Sequence, residues 1–406
     1  MRCFDVFAWF VMAGVAAIPA QAAAENKSSS AVCDFVTATI APLSVVEPCS
    51  KKLEIKTISD AERAKALYLR GYGYLVAKRN TKATADFMAG LKLTPNDNLM
   101  HRQLGHIALD LGEINKALYH AHRAAELYPK GAEEWLLLGL IHHWIGGHEK
   151  ALAFFNKAIE LKPDHVIARY RRASILIDRE DFKASLPDTQ WLIRQDASLL
   201  SARGSTSYFF MTVDYQQASY VKHAQVLAGM GKFSEGERIL TDLVRRHGTA
   251  FSVFAKARYI SLLPIGGQFP NRNEEAIALM QKAVELDPNF SFAWRNLATD
   301  LEIEKRFTEA LAANETARLT NQSAEAVPMI TWERARILRS LGQTDKAIEL
   351  GIATLDTALI LGPWAAMPYF EKLHRYGYWL YAEIPEKLNE AAVDAATACF
   401  LDPNCG

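Results

Sequence analysis

The sequence predicts an all-α fold, a solenoid of stacked two-helix units, and three observations predict it. Pro95, Pro129 and Pro163 stand 34 residues apart. Gly71, Gly105 and Gly139 keep the same step, as do Ala83, Ala117 and Ala151. Between these markers, apolar residues recur at helical spacing. A fixed period of this length means copies of one small unit. Such units bury their cores only by stacking, so the product is an extended surface rather than a closed pocket.

The best copy, Ala132–His165, shows what a unit requires. Trp135 and Leu138 are three apart and share a helical face. Gly139 and Ala151 are small, so the two helices can approach closely. Gly146 and Gly147 end the first helix and open the turn. Ala151, Phe155 and Ala158 recur at i, i+4 and i+7 along the second helix. Pro163 lacks an N–H and cannot continue that helix.

These positions resemble the tetratricopeptide repeat family, whose unit is a 34-residue helical hairpin. The resemblance implies a right-handed superhelical solenoid of stacked helix-turn-helix repeats. Walking the chain in this phase gives about nine units. Units 1–4 occupy residues 64–199: Ala64–Asp97, Asn98–Gly131, Ala132–His165 and the degenerate Val166–Leu199, where Ala197 replaces the closing proline. Residues 200–216 read as an insertion. Degenerate units 5–9 occupy 217–406, with Ala224, Gly231, Pro288, Trp294, Ala310, Ala335, Gly342 and Ala347 as markers. Their irregular stretches, Pro264–Arg272 and a turn at Ile384-Pro385, fall between helices. The mature chain reads as one array.

The start of the chain is a different kind of sequence. Arg2 precedes an apolar run, Val6 to Ala20, and small residues follow at Ala20-Gln21-Ala22 and Ala22–Ala24. This is the layout of a secretory signal peptide over residues 1–24, cleaved near Ala22–Ala24. The expectation is a periplasmic or secreted protein. No other segment is apolar enough to cross a bilayer. Residues 25–63 form a lead-in carrying Cys33 and Cys49, similar to the cysteine-containing lead-in of exported bacterial repeat proteins.

Cysteine usage agrees with export. Cys3 leaves with the signal, and Cys33, Cys49, Cys399 and Cys405 remain. Four cysteines allow three connectivities. The local one, Cys33–Cys49 with Cys399–Cys405, is favoured because the pairs lie at opposite ends of an extended array. Each bridge would staple a terminal element and contribute about 2–3 kcal/mol.

Composition narrows the function classes. Lys plus Arg and Asp plus Glu both number 46, so the chain is formally neutral and lacks the basic surplus of a nucleic-acid binder. Arg169, Arg171 and Arg172 cluster on one helix and read as a solvated face. No phosphate loop, nucleophile elbow or zinc-protease helix is present, so neither an enzyme nor a cofactor is expected. Eight of the eleven histidines lie between His101 and His165. His101 and His106, or His120 and His122, lack the i, i+4 spacing that would set them on one helical face, so no metal site is read.

Function is therefore sought on the surface. The family resemblance implies that the first helix of each hairpin lines a concave groove. Carried onto this chain, its inward positions are Lys65, Tyr68 and Tyr72, then Arg102, His106 and Asp110, then His143 and Trp144, then Tyr170, Ser174 and Asp178. Toward the C-terminus they are Arg295, Glu302, Trp332, Arg336 and Arg339. Tyr, Trp and Arg dominate binding energy at interfaces. The expectation is a non-catalytic adaptor holding a peptide or protein partner, with Arg336 and Arg339 suited to a carboxylate-bearing ligand. Glycan binding by ring stacking is the alternative.

Overall fold

Among the described residues the chain is helical throughout and contains no strand. The structure is a computed structural model that describes residues 32–195, 215–263, 271–321, 323–376, 378–379 and 384–402. The segment read as a signal peptide, Ala197, all but the last two residues of the 200–216 insertion, Pro403 and Cys405 lie outside them. The described chain forms two compact units, one ending at Lys232 and the other beginning at Phe233.

The first unit opens with the lead-in: α1 (Phe35–Ile40), a 3-10 turn at Pro42–Val45, and α2 (Val46–Glu54). Four hairpins follow. They are α3 (Asp60–Val76) with α4 (Asn80–Leu93), α5 (Asn98–Asp110) with α6 (Ile114–Leu127), α7 (Ala132–Trp144) with α8 (His148–Leu161), and α9 (Val166–Asp178) with α10 (Phe182–Arg194). Helix α11 (Tyr215–Gly229) packs on α10 and α9. Helix α3 starts ahead of the expected boundary at Ala64 because Ser59 and Glu62 form a capping box around its first turn.

The expected close approach inside each hairpin is present. A Cβ on Gly139 would sit 2.5 Å from a ring carbon of Phe155, so only glycine lets that ring pass. Gly146 makes the turn at φ 75°, in the left-handed region. Where the turn lacks a glycine, Lys78, Glu180 and Lys305 take the same region.

The closing prolines have a second role. Trp135 donates its ring N–H to the carbonyl of Pro129 at 2.8 Å, and Trp294 does the same to Pro288 at 2.9 Å. Arg169 reaches Pro163 at 2.7 Å, and His101 Nε2 reaches Pro95 at 3.2 Å. The fourth position of a unit thus satisfies a carbonyl that the ended helix leaves open.

Buried charges in this unit are paired across its helices. Arg70 grips Asp86 through two bonds of 2.8 and 2.7 Å. Arg172 grips Asp188 in the same manner, and Arg169 joins it at 2.7 Å. The cluster read as a solvated basic face therefore spends two of its three arginines on one buried carboxylate. Glu134, fully buried, accepts from Arg102 and Asn98.

The second unit begins with α12 (Phe233–His247). It continues with α13 (Ala250–Ser261) and α14 (Asn273–Leu286), α15 (Ser291–Ile303) and α16 (Phe307–Thr320), α17 (Val327–Ser340) and α18 (Thr344–Leu361), and α19 (Pro363–Arg375) with α20 (Glu390–Leu401). Trp332, Tyr369, Phe370, Trp379 and Phe400 fill its last core.

Cys33 and Cys49 are joined by a disulfide. It ties the lead-in to α2, where Cys49 and Val45 are fully buried against the first hairpin. Cys399 is also disulfide-bonded. Among the described residues no helix is long and apolar enough to cross a membrane.

Candidate functional site

Side chains of successive first helices meet along one strip in each unit, and the two strips differ. In the first unit the strip begins at the lead-in. Phe35 packs on Tyr68 with ring centres 5.8 Å apart, Tyr68 stacks on Tyr72 at 6.4 Å, and the ammonium of Lys65 lies 5.1 Å from the Phe35 ring. Tyr68 is buried and Tyr72 half-buried, so Tyr72 offers more ring to a ligand. Phe35 belongs to this surface and was not foreseen, because it lies outside the repeat phase.

Further along, the polar groups lack partners. His106 is buried, and its Nδ1 has no hydrogen bond. Burial, with the Arg102 guanidinium beside it, pushes its pKa down to about 3, so the ring is neutral. Both carboxylate oxygens of Asp110 lie buried without a partner, and burial pushes that acid up to about 6. His143 also leaves Nδ1 unpaired, and burial with Arg171 nearby pushes it down to about 4. Trp144 stands half in solvent at the end of α7.

At α9 and α11 the strip turns cationic. Tyr170 has no exposed surface, and its hydroxyl has no partner. The ammonium of Lys222 lies 4.8 Å from the Tyr170 ring centre. Lys222 is buried, which pushes its pKa down to about 8 against the pull of Asp178. Arg171 interacts with Tyr170, Tyr215 and His143. Ser174 donates to the Tyr170 carbonyl, and Asp178 is exposed. Neither Lys222 nor Arg171 stands at a position the resemblance assigned to the groove. The signal available was a lone lysine midway along α11.

Burial alters the expected roles of three residues. Tyr170, Tyr68 and His106 are enclosed by protein, so among the strip's expected aromatic positions the exposed ring surface is that of Tyr72 and Trp144.

In the second unit most of the expected strip residues are engaged by the unit's own contacts. Arg336 holds Glu302 through bonds of 3.0 and 2.7 Å, one repeat length apart in sequence. Arg339 donates to the carbonyls of Asp402 and Cys399, at 3.0 and 3.5 Å. The expectation that these two arginines await a carboxylate-bearing ligand gives way to an ion pair and a latch on α20. Arg295 lies 3.5 Å from Glu333, and Asp300 accepts from Ser261 at 2.8 Å. Trp332 is buried against Tyr369 and Phe400. Glu333 keeps one oxygen buried and unpaired, and burial raises its pKa.

His101 and His120 are tied to each other. His101 Nε2 must donate, since Pro95 offers only a carbonyl oxygen. Its Nδ1 therefore accepts from His120 Nδ1 at 3.0 Å. Among the described residues no three His, Cys, Asp or Glu side chains are grouped to hold a metal ion.

Comparison with known proteins agrees with this architecture. Two family models described as tetratricopeptide repeat match residues 102–166 and 271–290. The chain is 25% identical over 127 residues to anaphase-promoting complex subunit 3 of Schizosaccharomyces pombe, covering 31% of this chain and 19% of that protein. It is 32% identical over 111 residues to human superkiller complex protein 3, covering 27% and 7%. The chain therefore matches less than a fifth of either relative's length. A tetratricopeptide repeat protein from Parabacteroides merdae superposes with a TM-score of 0.51 at 16% identity, over 66% of this chain and 97% of that one.

Proposed function

Because this chain is a tetratricopeptide-repeat protein, of a class that generally acts as a protein-interaction scaffold, we propose that it binds a peptide segment or partner protein along the first-helix strip of its first unit. One observation carries this choice of site. His106, Asp110, His143 and Tyr170 keep buried polar atoms without hydrogen bonds on consecutive hairpins. An unmade buried hydrogen bond costs about 1–3 kcal/mol, and a ligand's polar groups would recover it. Tyr72 and Trp144 supply ring surface beside them. The relatives' names, a complex subunit and a complex protein, are in keeping with a scaffold.

We further propose that the protein works outside the cytoplasm, in the cell envelope or beyond it. The apolar N-terminal sequence and the Cys33–Cys49 bridge support this reading, since such bridges persist in oxidising compartments. Cell fractionation with thiol labelling tests it; free Cys33 and Cys49 in a cytoplasmic pool would contradict it.

The binding reading is tested by placing a photo-crosslinking residue at Tyr72, at Trp144 and at Tyr119, which is exposed on the second helix of its hairpin. A shared partner crosslinked from the first two positions and not from Tyr119 is the expected outcome. Equal labelling from all three, or none from the strip, would remove the strip as the binding surface.

A further inference from the structure

Within single helices the histidines lack ligand spacing, but one hairpin brings two of them together across its helices. His101 lies on α5 and His120 on α6, 19 residues later. Their Nδ1 atoms stand 3.0 Å apart. Two nitrogens bound to one metal at about 2.0 Å each are about 2.8–3.3 Å from one another, for angles from square-planar to tetrahedral. The observed spacing falls inside that range. His101 is also held as a ligand is held. Its Nε2 donates to the Pro95 carbonyl at 3.2 Å, which fixes the ring and leaves Nδ1 without a proton. His120 reaches the ligating form by moving one proton from Nδ1 to Nε2, with no change of charge. The charges acting on His101, Arg123 and Asp97, are of opposite sign.

The pair is open to water on one side. His101 is buried, His120 is half-buried, and Tyr119, its ring 6.3 Å from His101 and 5.0 Å from His120, is exposed. The other close ring pair lacks this geometry. His143 and His148 have ring centres 5.6 Å apart, but His143 Nδ1 has no hydrogen-bond partner.

We propose that His101 and His120 form a two-nitrogen site for a late divalent first-row metal, Cu(II) most tightly, which pins α5 to α6. The ion takes the place of the proton between the two rings. That proton moves to His120 Nε2, so none is released. Among the described residues no third His, Cys, Asp or Glu side chain is grouped with the pair, so water completes the coordination. Imidazole suits copper, and Cu(II) binds nitrogen sites most tightly in the first-row divalent series. The site uses no residue of the proposed binding strip and goes beyond that reading.

The test uses the full chain, isotopically labelled at histidine for NMR and titrated with copper(II) chloride at neutral pH. Cu(II) is paramagnetic, so the ring signals of its ligands broaden first. His101 and His120 should broaden together, ahead of the rest of the eleven histidines. His120→Ala should weaken Cu(II) binding at least about tenfold, since even loss of a residue that only supports a ligand costs about that much. His122→Ala, which removes an exposed histidine from the same helix, should leave the affinity unchanged. Should His120→Ala fail to fold, the order of broadening in the wild type carries the test. Broadening that begins at His122, or at His143 and His148, would mean adventitious surface binding and overturn the site. Equal Cu(II) affinity in wild type and His120→Ala would overturn it as well. Metal binding is read without any partner, so loss of strip crosslinks would refute the strip reading while leaving this result standing.

Discussion

The two units build similar first-helix strips and finish them differently. In the second unit, Arg336 closes on Glu302, Arg339 closes on the end of α20, and Trp332 is buried in the core. In the first, His106, Asp110, His143 and Tyr170 end with polar atoms unmatched, and Trp144 stands in solvent. Repeat physics explains how both can coexist. Each hairpin is held by its neighbours through small residues and apolar faces, so the strip is free to serve stability in one place and recognition in another. The difference teaches that an inward arginine is not by itself a ligand contact. What matters is whether a neighbouring repeat has already supplied its counter-charge.

The sharpest way to break this comparison is Glu302→Ala. It leaves the Arg336 guanidinium, largely enclosed, without its bidentate partner. Removing one member of a buried pair costs about 3–5 kcal/mol, and the partial exposure here places the expectation near the bottom, about 3 kcal/mol. Denaturant unfolding of the variant measures it. A loss below about 0.5 kcal/mol would mean the second strip is as open as the first.

Lys222→Met should act in the opposite direction. The lysine's pKa falls from 10.5 to about 8 in the fold, so the folded state sheds its proton more readily than the unfolded state. A base with a lowered folded pKa costs stability fully below pH 8, and the cost fades as pH rises to 10.5. Lys222→Met should therefore be more stable than wild type at pH 7, by about 2 kcal/mol, with the gap closing across that window. A variant less stable than wild type at pH 7 would mean that the ammonium is already compensated within the fold.

Asp110→Asn follows with a smaller effect. Its carboxyl rises from 3.8 to about 6, so the folded state holds the proton longer than the unfolded state. The carboxylate costs nothing below pH 3.8 and its full amount above pH 6. With partial solvent contact discounted, Asn should stabilise by about 1 kcal/mol at pH 7 and show no difference in acid. Thermal unfolding across that range decides it; a gain independent of pH would assign the effect to packing.

Much of the fold was legible because its markers are steric. Gly139 opposite Phe155, the turn glycine Gly146 and the closing prolines each admit few substitutes, so they repeat visibly. The Cys33–Cys49 bridge was legible from chain distance alone. The site was legible only as a set of positions. Arg336 and Glu302 lie one repeat apart, a spacing that could have announced their pairing had charges been compared across units as apolar residues were. Lys222 and Phe35 were missed for another reason. The resemblance names inward positions by phase, whereas Lys222 reaches the strip from a neighbouring position and Phe35 from outside the repeats.

Trp144→Ala has the smallest expected effect on the fold and sharpens the comparison most. The side chain is about half exposed, whereas Trp332 in the second unit is 4% exposed. Truncating an exposed side chain changes stability by less than about 0.5 kcal/mol, while a buried Trp truncated to Ala costs about 3–5 kcal/mol. Interface anchors of this type lose about 2 kcal/mol of binding or more when truncated. Trp144→Ala should therefore unfold with wild type and bind the crosslinked partner at least about tenfold more weakly. Unchanged affinity would move the ligand's path off the α7 end of the strip. Lost stability of several kcal/mol would show that Trp144 packs in the manner of Trp332 and that the two strips are alike there.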